Sequence, residues 1–323
     1  MAMQGLVKLE HSPKLSLTLS IAVHIVFINT SKWLMYTTSN RYPFFNTFVL
    51  LAFVSLSSYA IMCYSKFGKL YNSKAMEKEF NWPSKVNNQI LTYAVVQAQI
   101  CAAFFISLSV TDVHLIEGFT SLIPFMTLLL RQIKGAPSPN PMMFVSYGVI
   151  IAGIMLCFIG QETMSFSSFI FPSLYVVFNS VGLILLNALA HQVMLDSLIL
   201  VHATTRISCG IVLVYCIIFE YDIIWNLTNI FSLSYVILLL LNANFIFAWI
   251  LFHFMTFFQA SRISTQLIQI IKLSSTTLIA WIIFGYKISW FSIFCVILIC
   301  VGLFIYDRAR LSSASFTRAG LPF

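Results

Sequence analysis

Residues 259–289 read QASRISTQLIQIIKLSSTTLIAWIIFGYKIS, an apolar run that carries a lysine at its centre. Arg262 opens the run, Phe284 closes it, and Lys272 stands ten residues in. At 1.5 Å per residue the lysine lies ~15 Å deep, about half of a ~30 Å hydrocarbon layer. A cation there costs on the order of 3 kcal/mol on insertion scales. It persists only where it pairs, faces water or meets an anion. Gln269 and Gln266 precede it by three and six residues and share its helix face, and Ser275 and Thr276 continue that side. Two readings stand. One is an anion-binding helix that lines a cavity. The other is a structural lysine held by a carboxylate on another helix. Ionisable groups inside a membrane default to function.

The rest of the chain agrees with a membrane setting. Apolar residues make up 59% of the 323 and charged residues 9%, whereas about a quarter of a soluble domain is charged. The chain therefore reads as an all-α polytopic membrane protein embedded in a lipid bilayer. The net charge of +8 does not indicate a nucleic-acid partner, because the cations cluster in short segments between apolar runs, as the positive-inside rule requires. The seven cysteines all lie in or beside apolar runs and show no metal-ligand spacing, so they read as small packing residues. The N-terminal MAMQGLVKLEHSPK is polar, shows no small-residue cleavage site after a short apolar core, and does not read as a removable signal peptide.

Ten apolar segments follow: Leu15–Leu34, Phe44–Tyr64, Asn88–Val110, Val113–Leu130, Met142–Ile159, Ser167–Ala190, Leu198–Phe219, Leu233–Phe258, Ser264–Phe284 and Ile288–Tyr306. Each suits a single tilted span. If the N-terminus is cytosolic, thirteen Lys and Arg fall on the cytosolic side and three (Lys32, Arg41 and Lys287) opposite. That asymmetry and the even number of spans put both termini in the cytosol. The Ser65–Lys85 loop, with five lysines, reads as a solvated cytosolic connector. Asn226-Leu-Thr228 is a glycosylation sequon on the opposite side.

A shift of 152 residues lays the fourth segment on the ninth. Ser109 meets Ser261, Leu115 meets Leu267, Ile116 meets Ile268, Glu117 meets Gln269 and Thr120 meets Lys272. Gly153 falls near Gly302 with a small slip. Polar positions that recur in register point to two five-helix repeats. Because five is odd, the repeats are inverted, the plan of many secondary transporters. The chain then divides into a cytosolic tail (1–14), a first repeat (15–160), a second repeat (167–307) and a C-terminal tail (308–323).

The same residues resemble the nucleotide-sugar transporter and triose-phosphate translocator branch of the drug/metabolite transporter superfamily. Ser107-Leu108 and the run to Pro124 look like that family's helix 4 signature, and 259–289 its helix 9 signature, with Lys272 on the family's lysine. Gly302-Leu-Phe-Ile-Tyr306 resembles its Gly-Val-Phe-Leu-Tyr ending, and Ser31-Lys32-Trp33-Leu34 its helix 1 ending with serine for asparagine. The chain departs from the translocators at Leu273, where they carry arginine, and at Thr120, where many relatives carry lysine. It also departs from GDP-sugar carriers at His202-Ala-Thr-Thr205 and Leu267–Lys272. UDP-sugars are left ahead. The resemblance implies the drug/metabolite transporter fold and an antiporter in a Golgi or endoplasmic reticulum membrane. Its substrates would be a cytosolic nucleotide sugar and a returning nucleoside monophosphate, with no cofactor and no enzymatic step; a homodimer is compatible with it.

In that expectation Lys272 attracts phosphates, Gln269 and Glu117 shape the polar cavity, and Thr120 and Ser275 supply hydroxyls. Further candidates are Asn187 and His191, which follow Asn179 at helical spacing, and Trp249 and His253, which share a face with Asn242. Asn187 and His191 read as sugar or base contacts or as interhelical glue, Trp249 as a stacking platform or a packed residue. Arg206 either snorkels to the interface or meets an incoming phosphate. His114 and Glu117 have metal-ligand spacing, but no matching ligand pair appears on another helix. A sugar-phosphate or cation carrier of the same fold, and a non-transporting scaffold, remain as alternatives.

Overall fold

The computed structural model describes residues 13–38, 41–63, 84–133, 135, 140–160, 165–192, 197–223, 232–259, 265–284 and 290–320. Among these the chain forms eleven helices. They are α1 (Pro13–Thr37), α2 (Pro43–Cys63), α3 (Ser84–Val110), α4 (Val113–Thr120), α5 (Ile123–Ile133), α6 (Pro141–Ile159), α7 (Phe166–Gln192), α8 (Ser197–Phe219), α9 (Leu233–Gln259), α10 (Thr265–Phe284) and α11 (Trp290–Gly320). Among the described residues nine spans are long and apolar enough to cross a membrane, with α4 and α5 together making one, and α10 supplies a shorter apolar stretch, Ile268–Phe284. The sequon at Asn226 and most of the lysine-rich loop lie outside the described residues.

Large apolar side chains cover the surface as well as the core, and some polar side chains are buried. Trp290, Phe166, Leu233 and Ile282 are 73–86% exposed, while Asn46, Thr47, Ser58 and Asn242 are fully buried. Apolar surface on this scale needs a lipid environment. The protein is an integral, multi-pass helical membrane protein.

Two compact units emerge, and each draws on both halves of the chain. The first comprises residues 1–109 and 181–261, the second 110–180 and 262–323. In the first unit α1 packs on α9 and α2 on α8. The α1–α9 contact is pinned by Asn242, whose Oδ1 accepts from the Ser31 and Thr30 hydroxyls at 3.1 and 3.2 Å and whose Nδ2 donates to Ser31 at 3.0 Å. Tyr235 donates to Asn46 Oδ1 at 2.6 Å, tying α9 to α2. Lys32, grouped by sequence with the loop cations, is 3% exposed within α1. Its Nζ donates to the Leu108 carbonyl in the last turn of α3 at 2.6 Å, where the helix dipole is negative.

At one end of this unit Glu220, just past α8, caps α2. Its two carboxylate oxygens accept the backbone N–H groups of Phe44 and Phe45 at 2.8 and 2.7 Å. Tyr42 donates to Asp222 beside it at 3.3 Å. Burial pushes the Glu220 carboxyl up to about 7, the two N–H groups draw it back, and Asp222 raises it further.

In the second unit α6 and α11 pack closely over a pair of glycines. A Cβ at Gly153 would meet Cys295 O at 3.2 Å and Ile299 N at 3.3 Å. A Cβ at Gly302 would meet Ser146 O at 3.0 Å and Ile150 N at 3.1 Å. The two contacts are mirror partners: Gly302, Ile299 and Cys295 each stand 149 residues after Gly153, Ile150 and Ser146. Small residues at such crossings let helix backbones approach, the main source of helix association in lipid. Leu115, Phe119, Tyr147, Leu273 and Tyr306 fill the surrounding core.

The C-terminal helix continues through Asp307 and Arg310 to Gly320, past the expected end at Tyr306. Polar residues stop a span but not a helix, and nothing between Tyr306 and Gly320 breaks one.

Candidate functional site

The sequence suggests one helix from Val113 to Leu130, but the structure breaks it at Ser121–Leu122. Pro124 has no N–H to donate to the Thr120 carbonyl, so the α-helical ladder cannot continue there. The chain closes α4 with shorter bonds instead, Ser121 N to Gly118 O at 3.1 Å and Leu122 N to Phe119 O at 2.9 Å. All eight residues of α4 are buried.

That break holds the polar core of the second unit. Glu117 is fully buried, and Thr120 is 7% exposed. Glu117 Oε2 accepts from Thr120 Oγ1 at 3.3 Å and from Gln269 Nε2 on α10, also at 3.3 Å. Gln269 Nε2 donates to Thr120 Oγ1 as well. Thr120 and Ser121 turn their hydroxyls back to the Glu117 carbonyl at 2.7 and 3.3 Å, bonds that suit a helix end. Lys272, one turn beyond Gln269, is half-buried and lies within electrostatic reach of Glu117. Ser275 is half-buried on the same helix. Next to it, Thr276 and Thr277 are buried, and their hydroxyls have no partner among the described residues. All five residues proposed for the centre of the site, Glu117, Thr120, Gln269, Lys272 and Ser275, thus lie on α4 and α10, and hydrogen bonds join Glu117, Thr120 and Gln269. The set can neutralise a carboxylate or hold an anion, and it has spare hydroxyl donors beside it.

The remaining candidates belong to the first unit. Trp249 is half-buried and stacks on Phe27, with ring centroids 5.1 Å apart and planes 18° apart; Phe27 stacks in turn on Phe104 at 5.6 Å. His24 tilts against Trp249 at 6.0 Å. One face of the indole is therefore packed against the protein. Asn187 on α7 is half-buried. His191 and His253 fall within helices, but their side chains lie outside the described ones. Arg206 is exposed on α8. His202, which the sequence does not offer as a site residue, is buried, its ring Nδ1 3.3 Å from the Ser58 hydroxyl and 3.2 Å from the Ser55 carbonyl. Among the described residues no three His, Cys, Asp or Glu side chains gather as a metal-holding set.

No family model matches the chain, and no curated protein matches it. Among solved structures 28 chains match. One, a crystal structure, aligns with a TM-score of 0.61 at 14% identity, covering 90% of this chain and 96% of the other. At that identity the likeness concerns the fold alone. The protein thus adopts a multi-pass helical fold that a solved structure also shows.

Proposed function

We propose that the protein is a secondary antiporter that exchanges a cytosolic nucleotide sugar, by preference a UDP-sugar, for a nucleoside monophosphate from the lumen of the Golgi or endoplasmic reticulum. The observation that carries this reading is the Glu117–Thr120–Gln269 cluster beside Lys272. Polar and ionisable groups buried in membrane spans are costly and mark substrate paths. Lys272 attracts the phosphates. Glu117 balances it when the site is empty and yields it to the substrate. Thr120, Ser275 and the idle hydroxyls of Thr276 and Thr277 offer donors. The broken α4–α5 span supports transport, because interrupted helices frame the binding sites of many carriers. The inverted-repeat plan is supported by the offsets of 149 and 152 residues that relate Gly153 to Gly302 and Glu117 to Gln269. The resemblance of the motifs supplies the substrate class. No bond is made or broken in this cycle.

The test is thermal stabilisation of the purified protein by nucleoside mono- and diphosphates, nucleotide sugars and sugar phosphates. A ligand at a hundred times its dissociation constant adds ~2.7 kcal/mol to native stability. A shift with UMP and UDP-sugars, lost in Lys272→Ala, is expected. A shift with small sugar phosphates alone would move the protein to the translocator branch. No shift with any of them would sink nucleotide transport in favour of a cation carrier built on Glu117 or a non-transporting scaffold.

A further inference from the structure

A second polar site lies in the first unit, on helices that the reading above leaves unused. A groove of about 260 Å³ opens between the start of α3 and the first half of α8. Asn87, Asn88 and Arg206 supply its polar lining, and Ile90, Leu91 and Ala203 its apolar lining. Ile90 and Ala203 are 3% and 4% exposed and form a closed floor, while Leu91 is 49% exposed and forms an outer wall.

The two helices that line this groove carry cations and no carboxylate. Arg206 is the single charged residue of α8. A guanidinium inside a membrane span is expensive unless an anion or water meets it. The arginine presents a planar fork of donors that matches phosphate oxygens, and two neighbouring carboxamides add donors of their own. The apolar wall and floor beside this polar edge suit a ligand with an anionic head and a hydrocarbon body. The volume falls below the ~300–1,000 Å³ typical of pockets for drug-sized ligands. A nucleotide sugar is thus a poor match, whereas a single phosphate with a small alcohol fits. By alternation of the spans, α3 and α8 begin on the same side of the membrane. Residues 66–85, which lead into α3, carry Lys66, Lys69, Lys74, Lys78 and Lys85 against Glu77 and Glu79, which makes that side the more basic one. Basic pockets between membrane helices on the cytoplasmic side bind the heads of anionic lipids.

We infer that Arg206, Asn87 and Asn88 form a binding site for a phosphate-bearing group, separate from the Lys272 cluster. The same chemistry is offered by the head of an anionic phospholipid and by a free phosphate monoester. Because Leu91 opens the groove to the apolar surface, the lipid head is the expected occupant.

The inference is tested on the full chain in neutral detergent. Thermal stabilisation is measured with short-chain phosphatidic acid, short-chain phosphatidylcholine and inorganic phosphate. Native mass spectrometry counts the bound lipid. Phosphatidic acid is expected to stabilise the protein and remain bound, phosphatidylcholine not, and Arg206→Gln to weaken the phosphatidic acid effect by roughly five- to tenfold. Arg206→Lys, which keeps the charge but loses the fork, is expected to fall between. Asn88→Leu checks the carboxamide without touching the charge and is expected to weaken binding as well. Equal stabilisation by inorganic phosphate would keep the site and change its occupant to a free phosphate. Unchanged phosphatidic acid binding in Arg206→Gln, or no binding to the wild-type protein, would overturn the inference. Lys272→Ala is expected to leave this binding intact, so failure here and failure of the transport reading are told apart.

Discussion

Gln269 donates to the Glu117 carboxylate at 3.3 Å across 152 residues of sequence. The same offset of 152 residues aligns these two positions in the sequence, as the proposed inverted repeat requires. The carboxylate so held is buried, and Lys272 lies within its field.

The Glu117 and Lys272 charges should be energetically coupled. Glu117→Ala leaves the half-buried Lys272 without the Glu117 carboxylate; breaking a fully buried pair costs ~3–5 kcal/mol, and the partial exposure of Lys272 lowers the expected loss to about 1–3 kcal/mol. The double variant Glu117→Ala/Lys272→Ala should lose less than the sum of the singles. Unfolding in mixed detergent, read as a double-mutant cycle, checks this. Additive losses would show that the two charges do not interact.

The glycine pair predicts a graded response. Gly302→Ala would press a methyl to 3.0 Å from Ser146 O, and Gly153→Ala to 3.2 Å from Cys295 O. Both should destabilise by on the order of 1–3 kcal/mol, Gly302→Ala more, because overpacking forces backbones apart. Gly148→Ala and Gly210→Ala, whose added Cβ would meet nothing within 4 Å, should be close to neutral. Thermal unfolding of the four variants tests the order.

Tyr235→Phe removes the 2.6 Å bond to Asn46, a fully buried side chain. A buried acceptor deprived of its donor costs ~1–3 kcal/mol. The expected loss exceeds the ~0.6 kcal/mol average for hydrogen bonds between membrane helices. Comparison with Asn46→Leu/Tyr235→Phe, which removes both partners, should recover part of it.

Glu220 predicts a pH dependence. Its carboxyl is raised from the ordinary value near 4.5 to about 7, with burial the main cause. The folded protein therefore binds this proton more tightly than the unfolded chain. The resulting stability is fully present below pH 4.5 and is lost as pH rises through 7. Wild-type melting temperature should fall across that window, and Glu220→Gln should flatten the change. A stability that instead rises from pH 5 to 7 through this residue would show that the two N–H bonds outweigh its burial.

The sequence by itself determined the membrane class, ten apolar runs and most of their ends. It also placed the polar face of Gln269 and Lys272 and matched it to Glu117 and Thr120. These features are local: span length is set by bilayer thickness, and a polar residue in an apolar run is conspicuous. What only the tertiary structure decided depends on how each helix is rotated and which helix it meets. Pro124 was visible in the sequence, but the break it enforces at Ser121–Leu122 needed the buried setting of α4 to be seen. Lys32 looked like a loop cation until α3 brought the Leu108 carbonyl to its ammonium group. Trp249 became a packed ring through Phe27 on another helix, and Asn242 a clasp through Ser31. The groove at Arg206 arises because α3 lays two asparagines beside α8. A one-dimensional hydropathy pattern states how deep a residue lies but not which neighbour it faces, and the partner decides whether a buried polar group holds the fold or binds a ligand.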